Sequence, residues 1–432
     1  GRGVFAPMLR ALRHRNYRLF FAGQGISVIG TWLTRVATSW LVYRLTGSKF
    51  LLGVVGFASQ IPIFLLAPVA GVLIDRWDRR RLLIVTQVLF MLQSLTLAVL
   101  SLTGAIRVWH VIVLSLCQGL SYSFDTPGRQ SFVIEMIEDR NDLSNAIALN
   151  SSMFNGARLI GPAIAGILIA RVGEGICFLC DGISYVAVIL SLLAMRVSRR
   201  PAPARHNDVL RGMKEGLDYA VGFAPIRSIL LLLALVSFMG MPYTVLLPVF
   251  ATNILHGNAD TLGFLTSATG LGALAGALYM AMRRTVLGLG RWIAVASAMF
   301  GVGLAAFALS RHLWLSLALL LLAGFGMMVQ MASCNTILQT VVEDDKRGRV
   351  MGLYTVSFLG IAPFGSLAAG AMASLIGAPY TVLIGGLCCI GGALLFARRL
   401  PMIRRLVRPI YIRKGIILPV ASGIRAASEP PA

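Results

Sequence analysis

The sequence predicts an all-α membrane protein whose twelve transmembrane helices form two pseudo-symmetric bundles of six. Three observations indicate this fold class. The 432 residues are 57% hydrophobic and only 13% charged, with a mean hydropathy of +0.79, which is more apolar surface than a soluble core absorbs. Apolar runs of about 20 residues, the length that crosses a bilayer, recur about twelve times. Finally, a stretch of the first half of the chain is echoed in the second.

The predicted spans follow one another closely, with short loops between most of them. Each is a run of mostly apolar residues, as expected of a helix surrounded by lipid. An even number of spans places both termini on one side of the membrane. In order, the spans cover residues 18–44, 49–74, 82–104, 107–127, 143–170, 174–195, 228–255, 260–283, 290–310, 312–336, 350–376 and 379–397.

The net charge of +22 follows from membrane orientation rather than from a nucleic-acid partner. Of 39 lysines and arginines, 32 fall on the side that carries the termini and five lie in loops on the other side. The remaining two, Arg35 and Arg158, lie inside spans. This is the positive-inside pattern. It predicts that both termini face the cytoplasm and that the spans cross a bacterial inner membrane. Binding to nucleic acid is then unnecessary as an explanation.

A polar, basic segment at 196–227 separates six spans from six. It begins RVSRRPAPARH, and its prolines and charges are typical of a linker. We therefore predict one bundle over 18–195 and a second over 228–397, with a cytoplasmic N-terminus at 1–17 and a basic cytoplasmic tail at 398–432. The tail mixes apolar residues with arginines, so we expect it to lie along the inner leaflet.

The two halves echo each other at their fifth spans. NAIALNSSMFNGARLIGPAIAG, at 145–166, aligns without a gap on RVMGLYTVSFLGIAPFGSLAAG, at 349–370. The alignment places Gly161 and Gly166 opposite glycines of the second half. Parallel repeats of six spans are an architecture of alternating-access transporters, whose substrate site lies between the halves near the middle of the membrane.

Motifs for catalysis or metal binding are lacking in the sequence. Cys177 and Cys180 form a CxxC pair at the start of an apolar run with no second pair and no histidine nearby, so packing is the favoured interpretation. GxxxxGK, HExxH and GxSxG are missing. The sequence therefore predicts a protein that is not an enzyme and holds neither a metal nor a cofactor.

The loop between spans 2 and 3, GVLIDRWDRRRLL at 71–83, places six charged residues in seven positions. An acid at the base of span 2 can sit against a helix N-terminus or an arginine of the other half, forming a latch that must break when the cytoplasmic end opens. Asp75 is the candidate for this latch. Alternatively, all six charges only orient the loop at the phosphate surface. The candidate gating residues are Gly71, Asp75, Arg76, Arg79 and Arg80.

Charges inside spans are costly, so each is a candidate for a functional role. Arg35 shares a helical face with Thr31 and Thr38, which makes a polar stripe able to line a cavity. A guanidinium there could bind a carboxylate, a catecholate or a phosphate. The alternative is that Arg35 pairs with an acidic helix neighbour.

Span 5 carries a second polar face that points inward. Arg158 follows Asn150 and Asn155 on this span, although it could instead tie span 5 to the loop before it. Asp181 opens span 6 and is either a proton carrier, since burial favours the protonated form of a carboxyl group, or a solvated acid at the outer rim. We expect Asp125, in the stretch DTPGRQ, to lie at the cytoplasmic mouth.

GVLIDRWDRRRLL resembles the signature of the loop between spans 2 and 3 in the major facilitator superfamily, although the usual central glycine is Asp78 here. YRLTGS, DTPGRQSFV, NAIALNSSMFNGARLIGP and the tail RPIYIRKGIILP resemble the branch that contains the enterobactin exporter and related siderophore and drug exporters. In the superfamily this loop is thought to gate, and the resemblance places the facing helix start around Gly348 and Arg349.

The resemblance implies a secondary active transporter that exports an amphiphilic or anionic small molecule across the inner membrane by alternating access. It would act as a monomer among membrane lipids. Two alternatives stay open. One is a lysophospholipid transporter of the same fold, and the other is a transporter-like sensor or a permease subunit driven by a separate ATPase. The internal repeat and the loop signature favour the transporter.

Two features bear on the transport mechanism. Proton-coupled relatives commonly carry an arginine three residues before a Gln-Gly pair in span 4, but here Ser115 precedes Gln118. Proton coupling would therefore rest on other groups, such as Arg35 with Asp181, or be lacking. In span 5, NGARLIGPAIAG resembles the glycine-proline signature of antiporters, unless it reports helix geometry alone. That signature comprises Gly156, Gly161, Pro162 and Gly166.

The charge distribution generates a prediction about topology. We expect both termini and the 196–227 linker to face the cytoplasm, because basic residues resist translocation. A cysteine introduced at Ser198 should stay unlabelled when intact cells are treated with a membrane-impermeant thiol reagent, and should label after permeabilisation. Labelling in intact cells would contradict the orientation.

Overall fold

The computed structural model describes residues 10–137, 142–195, 209–283, 285–343 and 346–417. Within these ranges the chain is helical and contains no strand. Twelve helical segments are long enough to cross a bilayer, and they form the predicted all-α fold of two six-helix bundles. At about 1.5 Å per residue, even the shortest segment spans roughly 30 Å.

The first half begins with a short 3₁₀ turn at Arg10–Arg13 and continues with six helices joined by tight loops. These helices are α1 (Arg15–Thr46), α2 (Lys49–Arg76), α3 (Arg79–Leu102), α4 (Val108–Met136), α5 (Leu143–Val172) and α6 (Glu174–Ala194).

The second half begins with an additional helix, α7, and two of its six spans are interrupted by π-helical turns. Span 7 consists of α8, a π turn at Val236–Gly240, α9 and a π turn at Phe250–Ile254, and span 11 consists of α13, a π turn at Val356–Gly360 and α14. The helices are α7 (Val209–Gly222), α8 (Ala224–Leu235), α9 (Tyr243–Val249), α10 (Ala259–Met282), α11 (Leu289–Leu309), α12 (Leu313–Val341), α13 (Arg347–Thr355), α14 (Ala362–Ile376) and α15 (Ala378–Arg413).

Local sequence signals set the helix starts. The hydroxyl of Ser48 accepts a hydrogen bond from the backbone N–H of Leu51 at 3.2 Å and caps α2. Asp78 caps α3 in the same way, accepting from the N–H of Arg81 at 3.0 Å. The acid that replaces the usual glycine of the loop signature therefore stabilises the start of α3.

Among the described residues, ten helical segments qualify as membrane spans by length and composition. Helices α1 and α4 do not qualify, because they carry polar and charged side chains such as Arg35 and Asp125. Such side chains are tolerated within a membrane only where they face the interior of the bundle. These two helices are thus expected to line a polar interior.

The structure differs from the expected boundaries most clearly in three places. Span 4 does not end at 127, because α4 continues to Met136. The linker is not wholly irregular, since α7 lies within it and span 7 begins at Ala224 rather than at 228. The last span does not end at 397, because α15 continues to Arg413. Leu400 and Ile403 on this extension are buried in the protein's own core, whereas Met402 and Leu406 are exposed, so the placement of the tail along the inner leaflet stays a prediction.

The two halves touch where glycines let backbones approach closely. An ideal Cβ at Gly166 of α5 would lie 2.6 Å from the carbonyl oxygen of Ala259, and one at Gly263 of α10 would lie 2.4 Å from that of Pro162. Helices α2 and α14 meet in the same way, because a Cβ at Gly53 would lie 2.6 Å from the carbonyl oxygen of Ser366. Small residues are the usual means of helix association in membranes.

These two glycine contacts lie at one end of the molecule, and a third lies deeper, where an ideal Cβ at Gly270 of α10 would be 2.6 Å from the carbonyl oxygen of Arg158. This outer end carries the loops at 47–48, 173 and 255–258, and the inner end is the one that carries the described chain ends. Tyr43 and Asn253 also join the halves at the outer end, through a side-chain hydrogen bond of 2.8 Å. Ten residues closer to the inner end than Gly166, a Cβ at Gly156 would meet nothing within 4 Å. The halves are therefore in close contact from the outer end to the level of Arg158, and no such glycine contact joins them nearer the inner end in the described part of the chain.

The glycine contacts predict a conformational effect. Gly166→Val should separate α5 from α10, because the added side chain has no room beside Ala259. Spin labels at Arg171 and His256, in a background without native cysteines, should then report longer distances by double electron–electron resonance. Gly156→Val is the matched control on the same helix and should leave the distances unchanged. Equal distances in both variants would contradict the closing role of Gly166.

Candidate functional site

Arg35 lies near the middle of α1, yet its side chain is exposed. The guanidinium is close enough to Tyr122 of α4 and Arg158 of α5 for electrostatic interaction, so the space it reaches lies between helices rather than in lipid. It lies 5.1 Å from the centre of the Trp32 ring, within cation–π range. No carboxylate among the described residues pairs with Arg35, so the acidic-neighbour alternative finds no support there.

Arg158 occupies the same interior region. Its side chain is half-buried, it lies near Tyr243 of α9, and its guanidinium is close enough to that of Arg35 for the two to repel each other. The described part of the chain supplies Arg158 with no ion-pair partner. Two positive charges therefore lie near each other inside the protein, and no carboxylate among the described residues pairs with either of them.

Gly161 explains how α1 and α5 place these arginines together. A Cβ at Gly161 would lie 2.6 Å from the Cβ of Trp32, so the glycine leaves room for the Trp32 side chain. Trp32 in turn supports the guanidinium of Arg35. The glycine of the antiporter-like signature thus has a local packing role beside the cavity.

The other predicted site residues differ in their surroundings. Thr31 lies one turn from Arg35, and its hydroxyl oxygen is 3.5 Å from that of Tyr185. Asn155 bonds to the carbonyl oxygen of Ser151 at 2.9 Å, within its own helix. The remaining candidates, Thr38, Gln118 and Asn150, are half-buried, and the side-chain oxygen of Asn150 has no partner among the described residues.

Asp181 is fully buried between helices, which excludes the alternative of a solvated acid at the outer rim. Its Oδ2 accepts hydrogen bonds from the hydroxyls of Thr34 at 2.6 Å and Ser94 at 2.8 Å. Its Oδ1 has no hydrogen-bond partner and lies against Gly30, where an ideal Cβ would be 2.6 Å away. The carboxyl group is thus held by hydroxyls from α1 and α3 and by no cation.

Asp125 is a second buried acid, and its burial was not expected from the sequence. It does not lie at an open mouth, because α4 continues to Met136 and the side chain is 0% exposed. Asp125 forms an ion pair with Arg129 and accepts hydrogen bonds from Thr86 at 3.0 Å and Gln87 at 2.8 Å. The spacing of an acid and an arginine four residues apart in DTPGR was the signal that could have indicated this pair.

An aromatic cluster lies between the two buried acids. The ring of Phe90 packs 4.7 Å from that of Tyr122 and 5.6 Å from that of Tyr185. Because Tyr185 is beside Asp181 and Tyr122 is one turn before Asp125, the polar groups of the first bundle form a continuous interior layer across α1, α3, α4 and α6.

The structure describes the side chains of only part of the gating loop. Side chains of Gly71, Asp75 and Arg76 lie outside the described residues, so the latch stays a prediction. Arg79 forms an ion pair with Glu135 at the end of α4, and Arg80 donates hydrogen bonds of 2.7 Å to the carbonyl oxygens of Leu192 and Leu193. These two arginines therefore join three helices of the first bundle at the inner end.

On the second half, the inner ends of α12 and α13 border an open polar cavity. Amide, hydroxyl and guanidinium side chains make up most of its lining. None of these residues was a candidate from the sequence. The lining residues are Ala332, Asn335, Thr336, Gln339, Thr340 and Arg347. Nearby, Arg349 forms an ion pair of 2.7 Å with Glu215 of α7, which ties the linker helix to the start of span 11.

A twelve-helix membrane fold with glycine-packed halves, closed at one end around a charged interior, defines a transporter of the major facilitator superfamily rather than an enzyme. Within it, the chain belongs to the transmembrane secretion effector family, whose sequence model matches residues 3–408.

Known proteins similar to this chain are transporters. It is 27% identical to the staphyloferrin A transporter of Staphylococcus aureus, over 86% of this chain and 93% of that protein. It is 29% identical to the multidrug efflux pump Tap of Mycolicibacterium fortuitum, over 82% and 88%. The fold matches the inward-facing structure of a bacterial ferroportin homologue with a TM-score of 0.69 at 18% identity, covering 89% of this chain and 98% of that one.

The packing of Gly161 predicts a change that can be measured without a substrate. Gly161→Ala should push the Trp32 ring out of its packed position, because the added methyl group overlaps the Trp32 Cβ. In a background where the other five of the six tryptophans are phenylalanine, the Trp32 fluorescence should shift to longer wavelength. Gly156→Ala is the control and should leave the spectrum unchanged. Identical spectra in the two variants would remove the support for this role of Gly161.

Proposed function

We propose that this protein is a secondary active transporter that exports an anionic, amphiphilic small molecule across a bacterial inner membrane by alternating access. The observation that carries the proposal is the pair of interior arginines, Arg35 and Arg158, which lie near each other and have no pairing carboxylate among the described residues. Both termini would be cytoplasmic, and the acting unit would be a monomer surrounded by lipid.

The two arginines favour an anionic ligand for an energetic reason. Each charge at membrane depth costs about 3 kcal/mol, and repulsion between two like charges adds to that cost. A bound carboxylate, catecholate or phosphate offsets it, because guanidinium groups form paired, charge-assisted hydrogen bonds with such anions. Trp32 beside Arg35 offers an apolar ring surface, which suits a ligand with both charged and apolar parts.

The direction of transport is supported by three features. In the proposed orientation, the inner end faces the cytoplasm, so the cavity is open to substrates inside the cell. Span 5 carries the glycine-proline signature that resembles antiporters, and its Gly166 lies in the outer seal. The multidrug efflux pump similar to this chain is by its name an exporter. Export would require the seal to break and the inner end to close, with Asp75 as the candidate latch of the closed inner end.

A binding experiment tests the ligand class. Purified protein should be stabilised against heat by a carboxylate or catecholate siderophore more than by an uncharged macrolide. Arg35→Gln should weaken the binding of the anionic ligand by about tenfold or more, since a hydrogen bond to a charged group contributes about 1.5–3 kcal/mol. Arg35→Lys keeps the charge but loses the planar fork, so its affinity should be intermediate.

Arg171→Gln is the matched control, because Arg171 is exposed at the last turn of α5 and should not affect binding. Equal stabilisation of wild type and Arg35→Gln would contradict the proposal. Selective stabilisation by lysophospholipids would instead favour the lipid transporter of the same fold.

The direction of transport can be tested in cells. Deleting the gene should raise the intracellular amount of the native substrate, detected by comparing the metabolites of mutant and parent cells. Arg35→Gln should reproduce this retention while the protein remains in the membrane. Accumulation of a compound that requires the protein would show import instead.

A further inference from the structure

Helix α15 concentrates positive charge beyond the predicted end of its span. Residues 398–414 contain six arginines, one lysine and no acidic residue. All seven basic side chains are exposed: Arg398, Arg399, Arg404, Arg405, Arg408, Arg413 and Lys414. Because α15 is helical through Arg413, the arginines hold defined positions on one helix instead of being spread over an irregular tail.

The arginines of this extension differ from other basic residues of the inner end in having no counterion. Arg79 pairs with Glu135, and Arg349 pairs with Glu215. In contrast, no carboxylate in the described part of the chain pairs with any arginine of 398–413. The extension therefore presents cations whose counterions come from outside the described protein.

Three of the arginines form a cluster on the helix surface. Arg408 follows Arg404 by four residues and Arg405 by three, the two spacings that bring side chains together on a helix. We call these three residues the arginine cluster. Like charges at such spacings destabilise a helix, and an anion between them removes the repulsion. Phosphate suits the cluster, because guanidinium groups form paired, charge-assisted hydrogen bonds with its oxygens.

The extension also carries two apolar strips, and the protein covers only one of them. The buried strip consists of Leu400, Ile403 and Val407. Met402 and Leu406, one turn apart, form an exposed strip on another side of the helix, where they are 43% and 41% exposed. At about 100° per residue, Arg399 lies on one edge of this strip and Arg398 and Arg405 lie on the other. Apolar side chains between arginines are typical of a helix face that contacts lipid.

Neighbouring residues indicate how deep the extension lies in the membrane. An ideal Cβ at Gly290, in the first turn of α11, would lie 2.9 Å from Leu400, so this part of α15 is level with the start of α11. Trp292 in the same turn packs against Tyr279, with ring centroids 4.9 Å apart. Because such aromatic residues are enriched at the membrane–water interface, Leu400 lies at headgroup depth. The arginine cluster follows about 6–12 Å further along the helix.

We propose that the arginine cluster and the exposed strip bind an anionic phospholipid of the leaflet at the inner end. The cluster takes the headgroup phosphate, and Met402 and Leu406 contact the acyl chains. Pro401 lacks a backbone N–H inside the helix, so the extension can bend toward the leaflet at this point. The proposed orientation serves only to name this leaflet as the cytoplasmic one, and the binding does not depend on the transported molecule.

Lipid selectivity can be measured on the purified protein by native mass spectrometry. Wild type should bind phosphatidylglycerol more tightly than phosphatidylcholine with the same acyl chains. Replacing the arginine cluster by three glutamines should weaken phosphatidylglycerol binding by about tenfold or more, since each basic residue near an anionic membrane surface strengthens the attraction about fivefold. Replacing it by three lysines keeps the charge and should retain most of the preference.

A charge-matched control removes three exposed arginines from separate loops at the outer end. It combines Arg107→Gln, Arg171→Gln and Arg311→Gln, and it should leave the preference for phosphatidylglycerol unchanged. Equal affinities of wild type for the two lipids would overturn the proposal. An equal loss of affinity in the control would overturn it as well, because the effect would then follow from total charge and not from the cluster.

Contact with the acyl chains has its own readout. In a background where the six tryptophans are phenylalanine, Leu406→Trp places a single fluorophore in the exposed strip. Its fluorescence should be quenched by phosphatidylglycerol with brominated acyl chains, and less so when the arginine cluster is replaced by glutamines. Unquenched fluorescence with the lipid bound would overturn the placement of the strip.

A competition experiment separates lipid from nucleic acid as the partner. A short RNA should fail to displace phosphatidylglycerol from the purified protein, because a soluble polyanion gains nothing from the exposed strip. Displacement by the RNA would assign the arginine cluster to a nucleic acid and overturn the lipid proposal. Because none of these measurements uses a transported molecule, their failure is distinguishable from a failure of the anionic-substrate proposal.

Discussion

Close backbone contact at glycines is the constraint on which the arrangement of the two halves depends. Lipid tails are as apolar as the helices, so the halves gain little by burying apolar surface and must instead approach closely enough for dense van der Waals packing. Gly166 with Gly263, and Gly53 with Gly370, supply that approach at the outer end. These contacts involve few residues and no ion pair, so they can hold the halves together and still separate during a transport cycle.

The interior charged groups are of two kinds: some form an ion pair with each other, and others have no counterion among the described residues. Asp125 and Arg129 compensate each other and are further bound by Thr86 and Gln87, as expected of a structural pair. Arg35 is exposed instead and has no pairing carboxylate among the described residues. Asp181 is buried with hydroxyls alone. Leaving opposite charges unpaired does not stabilise a fold. The separation of Arg35 from Asp181 therefore indicates ligands that bind and dissociate.

Most of the fold follows from the sequence, because a span needs only length and apolar composition, and the repeat indicates two halves. The symmetry reaches single residues: Gly161 and its repeat partner Gly365 both pack against the first span of their own half, at Trp32 and Phe238. Arg35 and Asp181 could be singled out because a charge in an apolar run stands out. Their surroundings could not, since Thr34, Ser94 and Tyr185 are ordinary residues in sequence that only the packing of three helices brings to one carboxyl group.

The π turns make the two halves mechanically unequal. Within the described chain they occur at 236–240, 250–254 and 356–360, all in the second half, whereas the corresponding first-half helices α1 and α5 run without interruption. A π turn interrupts the regular ladder of hydrogen bonds and marks a place where a helix bends easily. The first half, which holds the buried acids and both arginines, has prolines inside α4 and α5 but no π turn among its described residues. The π turns give the second half further places to bend, so closing the inner end can combine local bending of spans 7 and 11 with movement of the bundle.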